Sequence, residues 1–155
     1  MPNDKTGTAA LFKKFLKNAR VVELKPNDLE VAKKVADGVM HKDIATDLEM
    51  SIGRVREAVV RIRQFAQKDE VDQRKEATVA RNVAELKRAR LPFARISTEG
   101  LLWARYEVHL TETGIRTLGD IAALGLSGLR ARGITEAEIA DIEKVFAQFG
   151  VPLEE

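Results

Sequence analysis

The 155-residue chain contains no cysteine. Disulfide bonds, zinc sites built on thiolates and a cysteine nucleophile are therefore excluded. Proline and glycine are both missing between Arg54 and Leu91, and no uninterrupted apolar stretch approaches the ~20 residues that span a membrane. Because the N-terminal residues 1–4 are also polar, we expect a cytoplasmic protein with no membrane partner.

Apolar residues recur with a period near 3.6 along the whole chain, and β-branched residues are scattered rather than alternating. This pattern is typical of helices and not of strands, so we expect an all-α protein. Helices are predicted over residues 8–22, 26–38 and 41–48 in the first part of the chain. A fourth helix is predicted to begin at residue 51 and to continue into the charged segment 69–90. Further helices are predicted over 98–112, 118–124 and 136–149, with a short turn near 127–131. The first of these is basic and amphipathic, and we interpret it as closing a small core rather than lying on a membrane.

Charge divides the chain into segments of different sign. Residues 1–67 carry 13 Lys and Arg against 9 Asp and Glu, residues 68–95 carry 8 against 5, and residues 96–155 carry 5 against 10. A polyanion such as DNA requires cations near its phosphates, so the two ends of the chain are expected to have different partners. We predict a domain at 1–67, a charged linker helix at 68–92 and a second domain at 93–155.

The linker segment carries only a thin apolar line, formed by Val71, Val79, Val83 and Leu86. It is either a simple linker helix or a weak coiled-coil face through which two copies form a homodimer. We favour the linker because the heptads are not sustained. Pro92 ends this helix and marks the domain boundary.

Residues 41–64 have the spacing of a helix-turn-helix motif. A short helix is followed by a tight connection at Glu49, and Ser51 can cap the next helix. The small Ala45 lets two helices cross closely, and in such motifs the second helix enters the major groove. The side chains expected to be free on that second helix are Arg54, Arg56, Glu57, Arg61 and Gln64.

Four short segments support this interpretation: Leu-Glu-Val at 29–31, Asp-Gly-Val at 37–39, Lys-Asp-Ile-Ala at 42–45 and Met-Ser-Ile-Gly-Arg-Val at 50–55. Over residues 24–67 they resemble the DNA-binding domain of quorum-sensing-type regulators and region 4 of sigma factors. The resemblance implies contacts with base edges or phosphates from Arg54, Arg56, Glu57 and Arg61, and with the DNA backbone from Lys42 and Ser51.

The chain departs from this family at the turn, where Glu49 stands in place of glycine. A left-handed backbone costs a residue with a side chain roughly 1 kcal/mol there, so a remodelled turn is expected. A helix pair that only supports packing or dimerisation is the alternative interpretation.

Residues 96–155 are rich in helix-capping signals. Thr117 with Asp120 and Thr135 with Glu138 are spaced as capping boxes, and Ser97 suits a helix start at about 98. Gly114 is typical of a helix stop followed by an anchoring apolar residue. The short helices are expected to share a core of Leu101, Leu102, Trp103, Val108, Leu110, Ile115, Leu118, Ile121, Leu129, Ile134, Ile139, Ile142, Val145 and Phe146.

The sequence Gly-Ile-Arg-Thr-Leu-Gly-Asp-Ile at 114–121, the apolar last helix and the tail Gly-Val-Pro-Leu at 150–153 resemble the C-terminal domain of the bacterial RNA polymerase alpha subunit. The resemblance covers about residues 96–153 and implies a small helix-hairpin-helix domain. Members of that family hold DNA in the minor groove and offer surfaces to activators and sigma factors.

The chain departs from this second family at the residues that grip DNA. Where the family's last helix opens with lysine and serine, Glu136 and Glu138 stand here, with Asp141 a turn later. Carboxylates suit the start of a helix but repel phosphate. When the sequences are aligned backward from Gly114, the family's critical arginine corresponds to Arg105. When they are aligned from the start of the predicted helix, which is about one turn longer here, it corresponds to Glu99. We therefore expect a protein partner, contacted through Glu136, Glu138, Asp141 and Arg105.

The sequence does not suggest an enzyme. The two histidines, His41 and His109, lie in different segments, and the carboxylates around Asp69 lack metal-ligand partners, so we expect no metal, cofactor or catalytic site. The expected function is that of a transcriptional regulator. Its first domain would bind double-stranded DNA, and its second would contact RNA polymerase, a sigma factor or another regulator. The alternative is a protein-interaction adaptor or anti-activator that does not bind DNA.

Overall fold

A computed structural model describes residues 5–155, and the polar residues 1–4 lie outside the described part. All regular structure within 5–155 is helical, which confirms the all-α class. The α-helices of this part are α1 (Lys5–Phe15), α2 (Pro26–Ala36), α3 (His41–Asp47), α4 (Ile52–Arg88), α5 (Ala104–Glu112), α6 (Leu118–Ala131) and α7 (Glu136–Phe149), with 3₁₀ turns at Ala19–Glu23 and Phe93–Arg95. Among the described helices, none has the length and apolar character needed to cross a membrane.

The chain forms two compact units, Met1–Asp72 and Gln73–Glu155, and the division falls within α4. The charged segment 68–92 is therefore part of a continuous helix up to Arg88, as the absence of glycine and proline predicts. Its thin apolar line includes core residues of the second unit, because Val79 and Val83 are buried there.

The N-terminal unit packs α1 to α4 around one apolar core. Phe12 of α1 is fully buried in it, as expected for a helix that closes a small core. Its other buried members are Val31, Ala32, Val35, Ala36, Ile44, Ala45, Val55, Ala58 and Ile62. Helix α1 ends at Phe15, so the prediction of a helix to residue 22 was wrong. Asn18 stops it, because its side chain accepts a hydrogen bond from the Arg20 N–H and begins a separate 3₁₀ turn.

Asp69, on α4, is almost buried, with its side chain only 5 % exposed. Its carboxylate accepts hydrogen bonds from Asn18 Nδ2 at 2.5 Å and Arg20 Nη1 at 3.3 Å. The Arg20 guanidinium also lies 3.6 Å from Asp72 and over the ring of Phe65. Buried carboxylates need such partners, so this cluster fastens the 3₁₀ turn to α4.

The C-terminal unit begins α5 at Ala104, so the prediction of a helix from about 98 was wrong. Ser97 Oγ accepts a hydrogen bond from the Glu99 N–H and closes a turn instead of capping a helix. The preceding backbone pairs with a distant segment, since Thr98 N–H donates to Arg116 O at 3.0 Å and Leu118 N–H donates to Ile96 O at 2.8 Å. These long-range bonds hold Ile96 in an extended conformation and pair Ser97 with Thr117 as an isolated β-bridge.

Most of the predicted C-terminal core is confirmed, but Val108 and Trp103 are exceptions. Val108 is 60 % exposed, and Tyr106, which was not predicted, is buried instead. Trp103 is only partly buried and packs at the edge of the core. The exchange follows from the later helix start, which changes which residues of α5 face inward.

The two capping boxes and the glycine stop are confirmed, unlike the cap at Ser97. Both capping boxes form: Thr117 Oγ1 accepts from the Asp120 N–H at 3.1 Å, and Thr135 Oγ1 accepts from the Glu138 N–H at 3.3 Å. Gly114 has a φ of 81°, and the next residue, Ile115, is fully buried, as a glycine stop requires. Helix α6 is broken by Gly125 at a φ of 64°, in agreement with a helix to 124 followed by a short turn.

Gly119, in the first turn of α6, has a steric role. A Cβ atom at this position would collide with the backbone carbonyl of Ala94 in the second 3₁₀ turn. Only glycine allows the two backbones to pack this closely. This contact holds the 3₁₀ turn against α6.

Candidate functional sites

The turn between α3 and α4 has the left-handed geometry that glycine usually provides. Glu49 has a φ of 51°, and the Met50 N–H donates to Ala45 O at 2.9 Å. Met50 packs against the core of the unit. The turn is therefore not remodelled, and Glu49 bears a conformational cost of roughly 1 kcal/mol.

Ser51 caps α4 as predicted, because its Oγ accepts a hydrogen bond from the Arg54 N–H at 3.2 Å. A hydroxyl that accepts in a cap still has its hydrogen to donate. Lys42 is exposed on α3, the preceding helix. Both residues thus keep a donor for an anionic ligand.

The exposed charged residues of α4 occupy three sides of its first turns. The buried Val55 and Ile62 define the inner side. With 3.6 residues per turn, Arg54 falls on one flank of the helix, Arg56 on the opposite flank, and Glu57 on the outer face between them. The structure therefore brings these predicted residues together on two successive turns.

Arg54 and Arg56 differ from Arg61 in their ion pairing. Arg54 and Arg56 form no side-chain ion pair within residues 5–155, whereas Arg61 Nη2 donates to Asp28 Oδ1 at 2.9 Å. The Asp28 side chain is only 11 % exposed, and this bond raises the pKa of Arg61 above its usual value. Arg61 was expected to be free. Instead it neutralises a nearly buried carboxylate and ties α4 to the start of α2.

A cleft of about 520 Å³ lies between the start of α2 and the first turns of α4. Its charges are mixed, since Glu57 and Asp28 line it together with three cations, Lys25, Arg54 and Arg61. Lys25 and Asn27 were not predicted as site residues. The Pro26 and Asp28 signals mark a helix start, but nothing local indicates that this start lies beside α4.

In the C-terminal unit, the carboxylates at the start of α7 make internal contacts. Glu138 accepts from the Thr135 N–H at 2.8 Å and from His109 Nδ1 at 3.1 Å, and its side chain is 13 % exposed. Burial raises the pKa of Glu138, but the hydrogen bonds from Thr135 and His109 outweigh it and leave this pKa lowered. Glu136 is 72 % exposed and pairs with Arg130 at 2.7 Å, a hydrogen bond that lowers the pKa of Glu136.

Arg105 and Asp141 meet at the hydroxyl of Tyr106. Arg105 Nη2 lies 2.6 Å from this oxygen, which in turn donates to Asp141 Oδ2 at 3.1 Å. Lys144 Nζ holds the other carboxylate oxygen at 2.9 Å. Glu99 lies outside α5, whereas Arg105 is in its first turn.

The C-terminal unit also contains an open groove of about 510 Å³ that sequence reasoning missed. Trp103 and Tyr106 lie on it and stack with their ring centroids 5.6 Å apart and their planes at 7°. The signal in the sequence was the only tryptophan of the chain three residues before its only tyrosine.

In comparisons with known proteins, no family model, no curated protein and no solved structure matches the chain. No cluster of three or more potential metal ligands occurs among residues 5–155. The function is therefore argued from the residues and contacts above.

Proposed function

We propose that the N-terminal unit binds double-stranded DNA as a helix-turn-helix, with the first turns of α4 in the major groove. The observation that carries this proposal is the pair of exposed arginines, Arg54 and Arg56, on opposite flanks of the same helix. The major groove admits an α-helix and has a phosphate backbone along each side. Cations on both flanks of an inserted helix can therefore contact both backbones.

The remaining residues fit the same geometry. Glu57 lies on the outer face between the flanks, where a carboxylate can accept from the amino group of a cytosine but would repel phosphate. Lys42 lies in the first turn of α3 and Ser51 at the start of α4, and each has a donor that a backbone phosphate could accept. Arg61 keeps further N–H donors beside its bond to Asp28, because a guanidinium carries five.

We propose further that the C-terminal unit contacts a protein, so that the chain acts as a cytoplasmic transcriptional regulator. Residues 96–155 carry a net charge of −5, which disfavours phosphate, and both carboxylates in the first turn of α7 strengthen that sign. RNA polymerase, a sigma factor or another regulator is the partner that this arrangement would bring to a promoter.

The test is fluorescence anisotropy of a labelled duplex with the full chain, measured from about 50 to 200 mM salt. Binding should weaken steeply with salt, and the double variant Arg54→Ala, Arg56→Ala should lose about 10-fold or more in affinity. Arg116→Ala is the matched control, because Arg116 is an exposed arginine of the other unit. Absence of binding at low salt, or an equal loss in the control, would contradict the proposal.

A second candidate function, an adaptor that does not bind DNA, is favoured by one observation. The cleft beside Arg54 contains the carboxylates of Asp28 and Glu57, which oppose a phosphate nearby. For such an adaptor, the full chain would cause no salt-dependent change in the anisotropy of any labelled duplex. It would still bind a protein through its C-terminal unit.

A further inference from the structure

The groove in the C-terminal unit has the features of a binding site. Its walls come from two helices: Val79 and Ala80 lie on the α4 side, and Val145 and Gln148 lie on the α7 side. Trp103 and Tyr106 contribute to the lining between them. A volume of about 510 Å³ and a mostly apolar, partly aromatic lining fall within the range typical of ligand sites.

The shape of the groove favours a helix as its occupant. The α7 wall extends from Asp141 to Gln148, which is two helical turns or about 10 Å. An amphipathic helix presents apolar side chains at positions i, i+3 or i+4, and i+7, which span the same length. The groove is open along one side, so a helix can lie in it without entering a closed cavity.

The charges of the lining indicate which helix fits. The three charged lining residues carry a net charge of −1, because the single cation, Lys144, pairs with Asp141 and also interacts electrostatically with Glu76. Lys75, outside the lining, lies over the ring of Trp103 at 4.6 Å and covers one of its faces. A basic residue of the occupant beside Glu76 would therefore complete the charge pattern of the site.

We propose that this groove binds an amphipathic helix of a partner protein, with apolar anchors two turns apart and a lysine or arginine placed against Glu76. The inference rests on the proposed function, since it names the kind of protein that the C-terminal unit contacts. It places the contact in the groove. Of the four residues predicted to contact a protein partner, only Asp141 lines this groove.

The test uses a phage-displayed library on a 16-residue helical scaffold that lacks tryptophan, selected on the full chain. Counter-selection uses Ala80→Arg, because Ala80 is exposed and lines the groove, so a long side chain there blocks it without disturbing the core. Ala84→Arg is the matched control, being an exposed alanine one turn further along α4 and outside the lining. Binding of synthetic peptides is followed by the fluorescence of Trp103, the only tryptophan.

Selected peptides should share apolar positions at i, i+3 or i+4 and i+7 and at least one basic residue. Ala80→Arg should weaken their binding at least 10-fold, and Ala84→Arg should not. Glu76→Lys should reverse the preference between two peptides that differ only in a lysine or glutamate at the basic position.

Three outcomes would overturn the inference: no peptide that distinguishes the chain from Ala80→Arg, a preference for acidic peptides, or a dimer of the full chain that Ala80→Arg dissociates. The last would assign the groove to a second copy. DNA binding, measured by the anisotropy of a labelled duplex, is an independent readout. If the chain binds DNA but no peptide, only the inference about the groove is refuted. If it binds a peptide but no DNA, only the DNA-binding part of the proposed function is refuted.

Discussion

Helices α4 and α7 begin in the same way, and they differ in the charges that follow. Each is preceded by a residue with a left-handed backbone, Glu49 at a φ of 51° before α4 and Gly133 at 81° before α7. In each, a hydroxyl then caps the helix, from Ser51 and from Thr135. The first turn of α7 contains two glutamates, whereas the first turn of α4 contains no acidic residue.

The difference separates what each helix start is suited to do. An acidic side chain near a helix N-terminus contributes about 0.3–1 kcal/mol, because it offsets the positive end of the helix dipole. The start of α7 has this contribution, whereas α4 instead places Arg54 and Arg56 near its positive end. Such an arrangement forgoes stability and is complementary to a polyanion, which is typical of a functional site.

The largest expected effect is on DNA affinity, through Arg54→Glu. A carboxylate on this flank would repel phosphate, so the affinity for a duplex should fall by about 100-fold. The same change places an acidic residue near the positive end of α4, so thermal stability should stay equal or rise. Anisotropy and thermal unfolding of one sample give both values.

The reciprocal change, Glu136→Arg, serves as the control for this comparison. It removes the pair with Arg130 and the favourable charge at the start of α7, so it should lower stability and leave DNA affinity within about twofold. If Arg54→Glu lowered both affinity and stability, the loss of binding would reflect unfolding, and the contrast between the two helix starts would fail.

A smaller effect concerns acid stability, which Glu138 confers on the start of α7. Because its pKa in the folded chain is lowered from the ordinary 4.5, its contribution is fully present above 4.5 and is lost as the pH falls through the folded value. Protonation weakens the hydrogen bonds from Thr135 and His109, so the C-terminal unit should lose stability over this pH range. Acid unfolding followed by Trp103 fluorescence measures this, since Trp103 belongs to the C-terminal unit.

Glu138→Gln keeps an acceptor for the capping box but no longer titrates, so the acid transition should become shallower. Glu143→Gln is the matched control, because Glu143 is exposed on the same helix. An unchanged acid transition in Glu138→Gln would show that the start of α7 does not depend on this charge.

The parts of the fold that local signals specify could be predicted. A capping box needs only two side chains three residues apart, and a glycine stop needs one residue and its neighbour, so Thr135 with Glu138 and Gly114 were recognised. The same holds for the candidate DNA-binding residues. Arg54 and Arg56 follow a capping serine, and helical periodicity is sufficient to predict that they are exposed.

The failures arise where distant residues meet. The start of α5 was misplaced because Thr98 bonds to Arg116, and the end of α1 because Asn18 and Arg20 bond to Asp69. The groove was missed for the same reason, as α4 and α7 are far apart in sequence. Nothing local to Arg61 shows that Asp28 lies within reach.

The smallest expected effect tests the shared turn itself. Glu49→Gly would remove the cost of a side chain in a left-handed conformation and stabilise the N-terminal unit by about 1 kcal/mol. Hydrogen exchange at the buried core residue Val55, on the first turns of α4, measures this unit alone. Glu49→Gln, which removes the charge and keeps the strain, should give less than half of that gain. If both variants raised the stability equally, the effect would come from the charge of Glu49. The left-handed backbone before α4 would then carry no cost that glycine relieves, contrary to what the comparison with the turn before α7 assumes.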